Sequence, residues 1–284
     1  MFVDAGEVES AREAVERGLP DEFRGWPTRF GWDAVPVAHH VEVAELGTWL
    51  AQRIGWHPRA GVSTRQWLCA PQQRLLEVTS GAVFHDDGRE LAAVRAALAW
   101  YPDDVWLWLL ACGWRRLDQE EPFVGRTAEV GDELGSRVLA ARLVRDVMRL
   151  AFLLERRYAP YSKWLGSAFA RLDAAATLQP AMLEVLAARD YEPREAALVA
   201  AGEELARRHN ALQVTAAVDP TVRPFHSRPF RVLGSSRFVD ASLQRVHDPW
   251  LRSLPLIGGV DQISDSTDVL EDPSVFAAVA HLYG

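Results

Sequence analysis

The sequence predicts a mainly α-helical protein, a helical bundle with a small α/β portion at its N-terminus. Residues 131–164 form the longest run with a helical period, and no proline interrupts it before Pro160. Residues 105–114 are almost entirely apolar and follow Asp103, a residue type that suits the start of a helix. Only residues 35–43 alternate in the manner of a strand. The apolar fraction of 49% and the charged fraction of 25% are typical of a folded globular chain.

Proline, glycine and capping residues divide the chain into further elements. In chain order, we predict helices over residues 7–17, 45–54, 63–68, 71–79, 90–100, 104–120, 131–164, 166–172, 179–189, 193–212, 237–246 and 273–281. Turn-rich segments are predicted over residues 23–33, 80–88, 122–127 and 254–273. The chain therefore alternates helices with short links.

The helix predicted over residues 131–164 carries an apolar stripe. Gly131 and Asp132 supply its start, and acidic residues there suit the positive end of the helix dipole. The stripe consists of Leu134, Val138, Ala141, Val144, Val147, Ala151 and Leu154. We expect this stripe to face the protein core.

A second stripe of the same helix is cationic. Arg142, Arg145 and Arg149 recur at helical spacing, and Arg156 follows two turns later. The stripe can be a solvated face whose arginines pair along the helix, for example Arg142 with Asp146, which is the commoner case. It can also bind an anion, because guanidinium groups match the geometry of phosphate and carboxylate.

Composition narrows the classes of function. The net charge is −8, so nucleic acid is not an expected partner. The apolar run at residues 105–114 is too short to span a bilayer, so no membrane association is expected. Cys69 and Cys112, without a secretory signal at the N-terminus, indicate reduced core thiols in a cytoplasmic protein.

Several segments carry a family resemblance. They are TSGAVFHDD, LAWYPDDVWLWLLACGWRRLDQEEPFVGR, VGDELGSRVLAARLVRDVMRLAFLLERRYAPYSKWLGSAF, HNAL, RPFRVL and LPLIGGVDQISDSTDVL. Over residues 19–269 the chain resembles the bacterial family known as domain of unknown function 4037, which is grouped with nucleotidyltransferase-like proteins. The resemblance implies a nucleotidyltransferase α/β unit followed by a helical domain that binds the acceptor substrate.

The sequence departs from this pattern at the catalytic motif. In the nucleotidyltransferase superfamily, a Gly-Ser turn precedes two strand carboxylates that hold Mg²⁺ against the triphosphate. Such carboxylates follow none of the Gly-Ser pairs, which lie at residues 135–136, 166–167 and 234–235. The missing motif is expected upstream of Met1. We therefore expect residues 1–60 to be a remnant of the α/β unit, residues 61–284 to be the helical domain, and Mg²⁺ only with a bound nucleotide.

Three carboxylates are candidate catalytic residues under this resemblance. The superfamily has a third carboxylate on a later strand, and Glu42 is its candidate here. A carboxylate of the helical domain acts as general base toward the attacking hydroxyl, and Glu120 and Glu121 are candidates for that role. Each candidate has an alternative interpretation, an ion pair with one of the many arginines.

Further residues complete the predicted ligand site beside the arginine stripe. They are Arg115, Arg116, Tyr158, Tyr161 and Lys163. The last three offer two hydroxyls and a cation at one end of the stripe, where a phosphate or carboxylate can dock. Alternatively, the tyrosines pack in the core and the lysine is solvated.

An acidic loop near the C-terminus contains Asp261, Asp265 and Asp268. Its spacing does not match an EF-hand, and acidic loops commonly cap helices or form turns. We therefore predict no metal site there.

Three functions are compatible with these observations. The first is a nucleotidyltransferase-like protein that handles a nucleotide or a small anionic acceptor and is incomplete or inactive without the paired carboxylates, so enzymatic activity is left open. The second is a non-catalytic helical module that binds a ligand or a partner through the arginine stripe. The third is a degenerate paralogue that only scaffolds another enzyme.

Overall fold

The computed structural model describes residues 1–284, and the chain is mainly α-helical as predicted. The α-helices are α1 (Val8–Gly18), α2 (Leu46–Ile54), α3 (Thr64–Cys69), α4 (Gln72–Thr79), α5 (Glu90–Ala97), α6 (Asp103–Glu129), α7 (Glu133–Leu154), α8 (Ser162–Phe169), α9 (Ala175–Ala187), α10 (Tyr191–Ala211), α11 (Ser236–Leu243), α12 (Pro249–Ser253), α13 (Val260–Ile263), α14 (Thr267–Glu271) and α15 (Pro273–Ala278). No helix combines the length and the apolar character that crossing a bilayer requires.

The strands form three antiparallel pairs of two strands each. The pairs are β1 (Glu22–Phe23) with β2 (Trp26–Pro27), β3 (Phe30–Trp32) with β4 (Val35–Ala38), and β5 (Arg223–Pro224) with β6 (Arg231–Val232). The first three strands lie in a stretch that was predicted to be a turn-rich loop. Strands of two or three residues are too short to leave a periodic signal in the sequence.

The strand predicted over residues 35–43 is shorter than expected. β4 ends at Ala38, and His40 has a left-handed backbone with φ of 51°. The Nδ1 atom of His39 accepts a hydrogen bond from the backbone N–H of Val41 at 2.9 Å, in place of a strand partner. Glu42 therefore lies outside any strand, contrary to the prediction.

The core is built around α6 and α7, which are consecutive and pack against each other. One apolar cluster contains 52 buried residues, and it includes Trp106, Trp108 and Trp114 of α6. Gly113 allows the two helices to approach closely, because a Cβ atom there would come within 2.9 Å of Leu150 Cδ1.

The two cysteines belong to this core. Cys69 and Cys112 are buried free thiols, as predicted. Burial raises the pKa of Cys69 to about 11, so little of it is thiolate at neutral pH.

α6 continues beyond its predicted end. The loop predicted at residues 122–127 is wrong, because the helix runs through Pro122 to Glu129. A proline inside a helix costs about 3 kcal/mol locally. Gly125 is buried against Phe230, whose ring carbon would lie 2.5 Å from a Cβ atom at that position. Tertiary packing therefore outweighs the local cost.

α7 begins where predicted and ends earlier. The carboxylate of Asp132 accepts a hydrogen bond from the backbone N–H of Gly135 at 2.8 Å, which caps the helix. The helix stops at Leu154, ahead of Pro160, and Arg156 then has a φ of 51°. The chain turns there, so α8 is a separate helix.

The predicted apolar stripe of α7 is buried only in its second half. That half consists of Val144, Val147, Ala151 and Leu154. By contrast, Leu134 is 75% exposed and Val138 is 59% exposed. The inward side of the first half presents Ser136, whose hydroxyl donates to the carbonyl of Val124 at 2.9 Å. Periodicity located the helix correctly, but this end has no apolar neighbour for the predicted side.

The segment before α15 forms a small unit that we call the C-terminal strap, residues 258–271. It contains α13 and α14, whereas an irregular stretch was predicted, because helices of four or five residues leave no periodic signal. Val260, Leu270 and Phe276 form their own apolar cluster, separate from the main core.

Candidate functional site

A polar cavity lies where α6, α7 and the C-terminal strap meet. Its polar lining includes Gln72, Arg116, Asp146, Arg149, Asp261 and Asp265. The cavity measures about 30 Å³, which is room for about two water molecules. A larger ligand therefore fits only if part of the wall moves.

Arg116 joins the three elements around the cavity. Its Nε atom lies 3.1 Å from Asp146 Oδ1 of α7, and its Nη1 atom donates to the carbonyl of Gln262 in the strap at 2.7 Å. Asp146 is only 6% exposed, and a carboxylate this buried is stable only when it is paired. This pair holds α6 against α7 and anchors α13.

Arg145 and Arg149 of α7 share the carboxylate of Asp265. The two terminal nitrogens of Arg145 donate to the two oxygens of Asp265 in a forked pair. Arg149 Nη1 lies 3.2 Å from Asp265 Oδ1 and also donates to the backbone carbonyl of Asp261. Burial, and secondly the proximity of Arg145, lowers the pKa of Arg149. The guanidinium groups of Arg145 and Arg149 thus share the carboxylate of Asp265 as an ion-pair partner.

Asp261 makes the charge of the cavity sensitive to pH. Its Oδ2 atom accepts a hydrogen bond from the backbone N–H of Gln72 at 2.9 Å. Burial raises the pKa of Asp261 to about 6. Protonation of Asp261 below that pH removes one of the three negative charges that line the cavity, which then balance the two lining arginines.

Arg115 and Arg142, two further arginines of the predicted ligand site, lie outside the cavity. Arg142 Nη1 is 3.1 Å from Glu120 Oε1, and Arg115 donates to Asp118 at 2.7 Å. The pair expected between Arg142 and Asp146 is wrong, because Asp146 is buried toward α6 while Arg142 is 53% exposed. The solvated interpretation therefore describes Arg115 and Arg142.

Of the three residues predicted at the end of the stripe, only Tyr161 lines the cavity. The hydroxyl of Tyr158 is buried and donates to the carbonyl of Leu98 at 2.9 Å. Lys163 is exposed, with its ammonium 5.2 Å from the centroid of the Trp164 ring. The alternative interpretations, a packed tyrosine and a solvated lysine, describe Tyr158 and Lys163.

Glu121 is tied to the backbone. Its two carboxylate oxygens accept hydrogen bonds from the N–H groups of Leu233, Gly234 and Ser235 at 2.6, 3.2 and 2.8 Å. Burial raises its pKa, and these hydrogen bonds oppose the rise. The ion pair with an arginine that sequence reasoning offered for Glu121 is wrong, because its partners are main-chain groups that lead into α11.

Glu42 and Glu120 contact two other parts of the molecule. Glu42 Oε2 accepts from Arg53 at 3.0 Å and from the indole N–H of Trp49 at 3.2 Å, both in α2. Glu120 pairs with Arg142 through one oxygen, and its other oxygen is buried without a hydrogen-bond partner. The three candidate catalytic carboxylates therefore have separate surroundings, and the ion-pair alternative describes these two.

Gln72 and Asp146 are among the cavity residues that sequence reasoning missed. Gln72 is 7% exposed, and its Oε1 atom accepts from the backbone N–H of Ala159 at 2.7 Å. Asp146 was considered only as a partner on its own helix. A usable signal existed for Asp146, since it is a lone acid within the otherwise apolar and basic run LVRDVMRLAFLL.

The carboxylates of the cavity do not fit a Mg²⁺ site. No group of three or more His, Cys, Asp or Glu side chains is placed to hold a metal ion. The carboxylates of Asp146 and Asp265 are held by guanidinium groups, and that of Asp261 accepts a backbone N–H. Asp268 lies exposed on α14.

Fold and cavity together define a mainly α-helical protein with an arginine-lined polar cavity beside its central helix pair. The model of the family described as "Domain of unknown function (DUF4037)" matches residues 67–165. This match confirms the family resemblance over residues 67–165. The matched segment contains α6 and α7 and excludes Glu42 and the strap. The comparisons with curated proteins and with solved structures gave no match.

Proposed function

We propose that the protein is a helical module that binds a small anionic ligand in the cavity lined by Arg116 and Arg149, beside Arg145. The observation that carries the proposal is the surroundings of Arg149. This guanidinium is largely buried, it borders a polar space, and it shares its carboxylate partner with Arg145. Guanidinium groups in such a place bind carboxylate or phosphate through charge-assisted hydrogen bonds.

A nucleotide is one candidate ligand, because its phosphates offer the required anionic oxygens. The family resemblance favours this ligand, whereas transfer of a nucleotidyl group finds less support. Glu42, Glu120 and Glu121 contact different parts of the molecule, and both oxygens of Glu121 are occupied by backbone N–H groups. Binding is therefore proposed here without a transfer step.

Calorimetric titration tests the proposal directly. Inorganic phosphate, malonate, Mg-ATP, Mg-CTP and Mg-GTP are titrated into the intact protein at fixed ionic strength. We expect heat from at least one of them. Arg149→Ala should weaken that binding by about tenfold to a hundredfold, as expected when a charge-assisted contact is lost.

Arg142 supplies the matched control. It lies on the same helix, is 53% exposed and pairs with Glu120 outside the cavity. Arg142→Ala removes the same charge and should leave the affinity nearly unchanged. Arg149→Lys keeps the charge and removes only the guanidinium fork, in case the alanine variant is unstable. The absence of heat with every probe would overturn the proposal.

A further inference from the structure

We infer that Asp265 occupies the anion subsite of this cavity, and that the carboxylate or phosphate of a ligand binds to Arg145 and Arg149 in its place. The inference rests on the proposed function. It adds the chemistry of the group that is recognised and the side chain that must leave.

The contacts of Asp265 indicate which chemical group the subsite binds. Both oxygens of its carboxylate accept hydrogen bonds from the terminal nitrogens of Arg145, and one of them lies 3.2 Å from Arg149 Nη1. An anion with two oxygens at carboxylate spacing satisfies this fork, and a phosphate presents an equivalent pair of oxygens. A single-oxygen acceptor such as an alcohol does not.

The position of Asp265 in the strap makes its displacement feasible. Its side chain is 54% exposed, and the Arg145 side chain is 32% exposed. Water and salt screen an ion pair with this much exposure, so an external anion can reach it and compete with Asp265 for the same forked contact. Asp265 also lies in the non-helical link between α13 and α14. The apolar residues of the strap pack outside the main core.

The two ends of the strap are held more firmly than this link. On the α13 side, the amide of Gln262 donates to the carbonyl of Leu109 at 3.1 Å, and its backbone carbonyl accepts from Arg116. On the α14 side, Leu270 is buried and Arg74 donates to the carbonyl of Glu271 at 2.9 Å. We therefore expect a local movement of the link, residues 264–266, to free the subsite.

The size of the cavity requires such a movement. Room for about two water molecules does not admit a ligand larger than a small ion. Removal of the Asp265 carboxylate from between Arg145 and Arg149 opens the wall at the point where the positive charge is concentrated. The same side chain then acts as an internal competitor for external anions.

The test compares Asp265→Asn with Asp268→Asn in the intact protein. Asp268 lies exposed on α14 close to Asp265, and no ion pair engages it. Both variants remove one negative charge from the same segment, so Asp268→Asn controls for the change in long-range potential. Phosphate and malonate are titrated separately at fixed ionic strength, which distinguishes a phosphate subsite from a carboxylate subsite.

We expect Asp265→Asn to bind at least one of the two anions roughly tenfold more tightly than the wild-type protein, because the competitor is lost. Asp268→Asn should bind like the wild-type protein. Equal affinities of Asp265→Asn and the wild-type protein, or weaker binding by Asp265→Asn, would overturn the inference and leave the proposed function standing. The absence of phosphate and malonate binding by both proteins would also overturn the inference, whereas the proposed function falls only if the nucleotides give no heat either.

Discussion

The two sides of α6 hold their buried polar groups in different ways. On the side that we call the α11 side, the groups are Trp114, Glu121 and His209. Glu121 accepts three backbone hydrogen bonds, and the Nδ1 atom of His209 accepts from the indole of Trp114 at 3.0 Å. These partners belong to the main chain or to packed aromatic rings, so they have no alternative position.

The other side, which we call the cavity side, is built from Arg116, Asp146, Arg149 and Asp265. Its charged side chains pair with one another around an open space, and Arg116 and Arg149 also donate to the main-chain carbonyls of Gln262 and Asp261. A partly exposed side chain such as Asp265 can leave without unfolding the chain, whereas a main-chain partner cannot. The difference indicates that the α11 side stabilises the fold and the cavity side exchanges partners.

Removal of Glu121 should have the largest effect on stability, and it tests the structural role of the α11 side. Glu121→Ala leaves the N–H groups of residues 233–235 without their acceptor and detaches the start of α11. We expect the free energy of unfolding to fall by about 3–4 kcal/mol. Urea denaturation followed by circular dichroism measures the change. A variant as stable as the wild-type protein would contradict the structural role of Glu121.

The pH dependence of stability tests the burial of His209 on the α11 side. His209 is fully buried, and burial lowers its pKa to about 4. The unfolded chain takes up the proton near pH 6.5, so stability is complete above that pH and falls as the pH drops toward 4. The loss reaches about 3 kcal/mol. His209→Gln should flatten the dependence in this window, and an unchanged slope would contradict the assignment.

Asp261 on the cavity side should act with the opposite sign and a smaller effect. Its pKa is raised to about 6 from 3.8, so the folded protein holds this proton more tightly than the unfolded chain. The contribution of Asp261 to stability is therefore present below pH 3.8 and is lost as the pH rises through 6. Denaturation of Asp261→Asn between pH 4 and 7 checks this. Its stability should fall more steeply than that of the wild-type protein as the pH drops.

The helical fold could be predicted because the signals for it are local. These signals are the apolar period of α7, its cap at Asp132 and the apolar run of α6. Each of them involves residues that lie within a few turns of the same helix. Predictions from local patterns were wrong where contacts between residues far apart in the chain determine the structure. Pro122 predicted the end of α6, but burial of Gly125 against Phe230 keeps the helix intact. Leu134 fits the apolar period, yet no neighbouring element covers it.

The cavity could be predicted only in part, for the same reason. The arginine stripe located Arg145 and Arg149, since both lie on one helix. Their partner Asp265 is 120 positions away in the chain, and no periodic pattern links positions so far apart. The spacing of Asp261, Asp265 and Asp268 can be compared with metal-binding motifs, but it carries no signal that Asp265 pairs with the stripe. Its pairing with the stripe depends on how the strap folds back.

The smallest expected effect comes from the residue next to Glu121. Glu120 pairs with the half-exposed Arg142, and its second oxygen is buried without a partner. Glu120→Gln gives up one partly exposed ion pair and also removes a charge that burial disfavours. These changes oppose each other, so we expect the free energy of unfolding to change by no more than about 0.5 kcal/mol. Urea denaturation beside Glu121→Ala checks this, and a loss as large as that of Glu121→Ala would show that Glu120 contributes as much to the fold as Glu121.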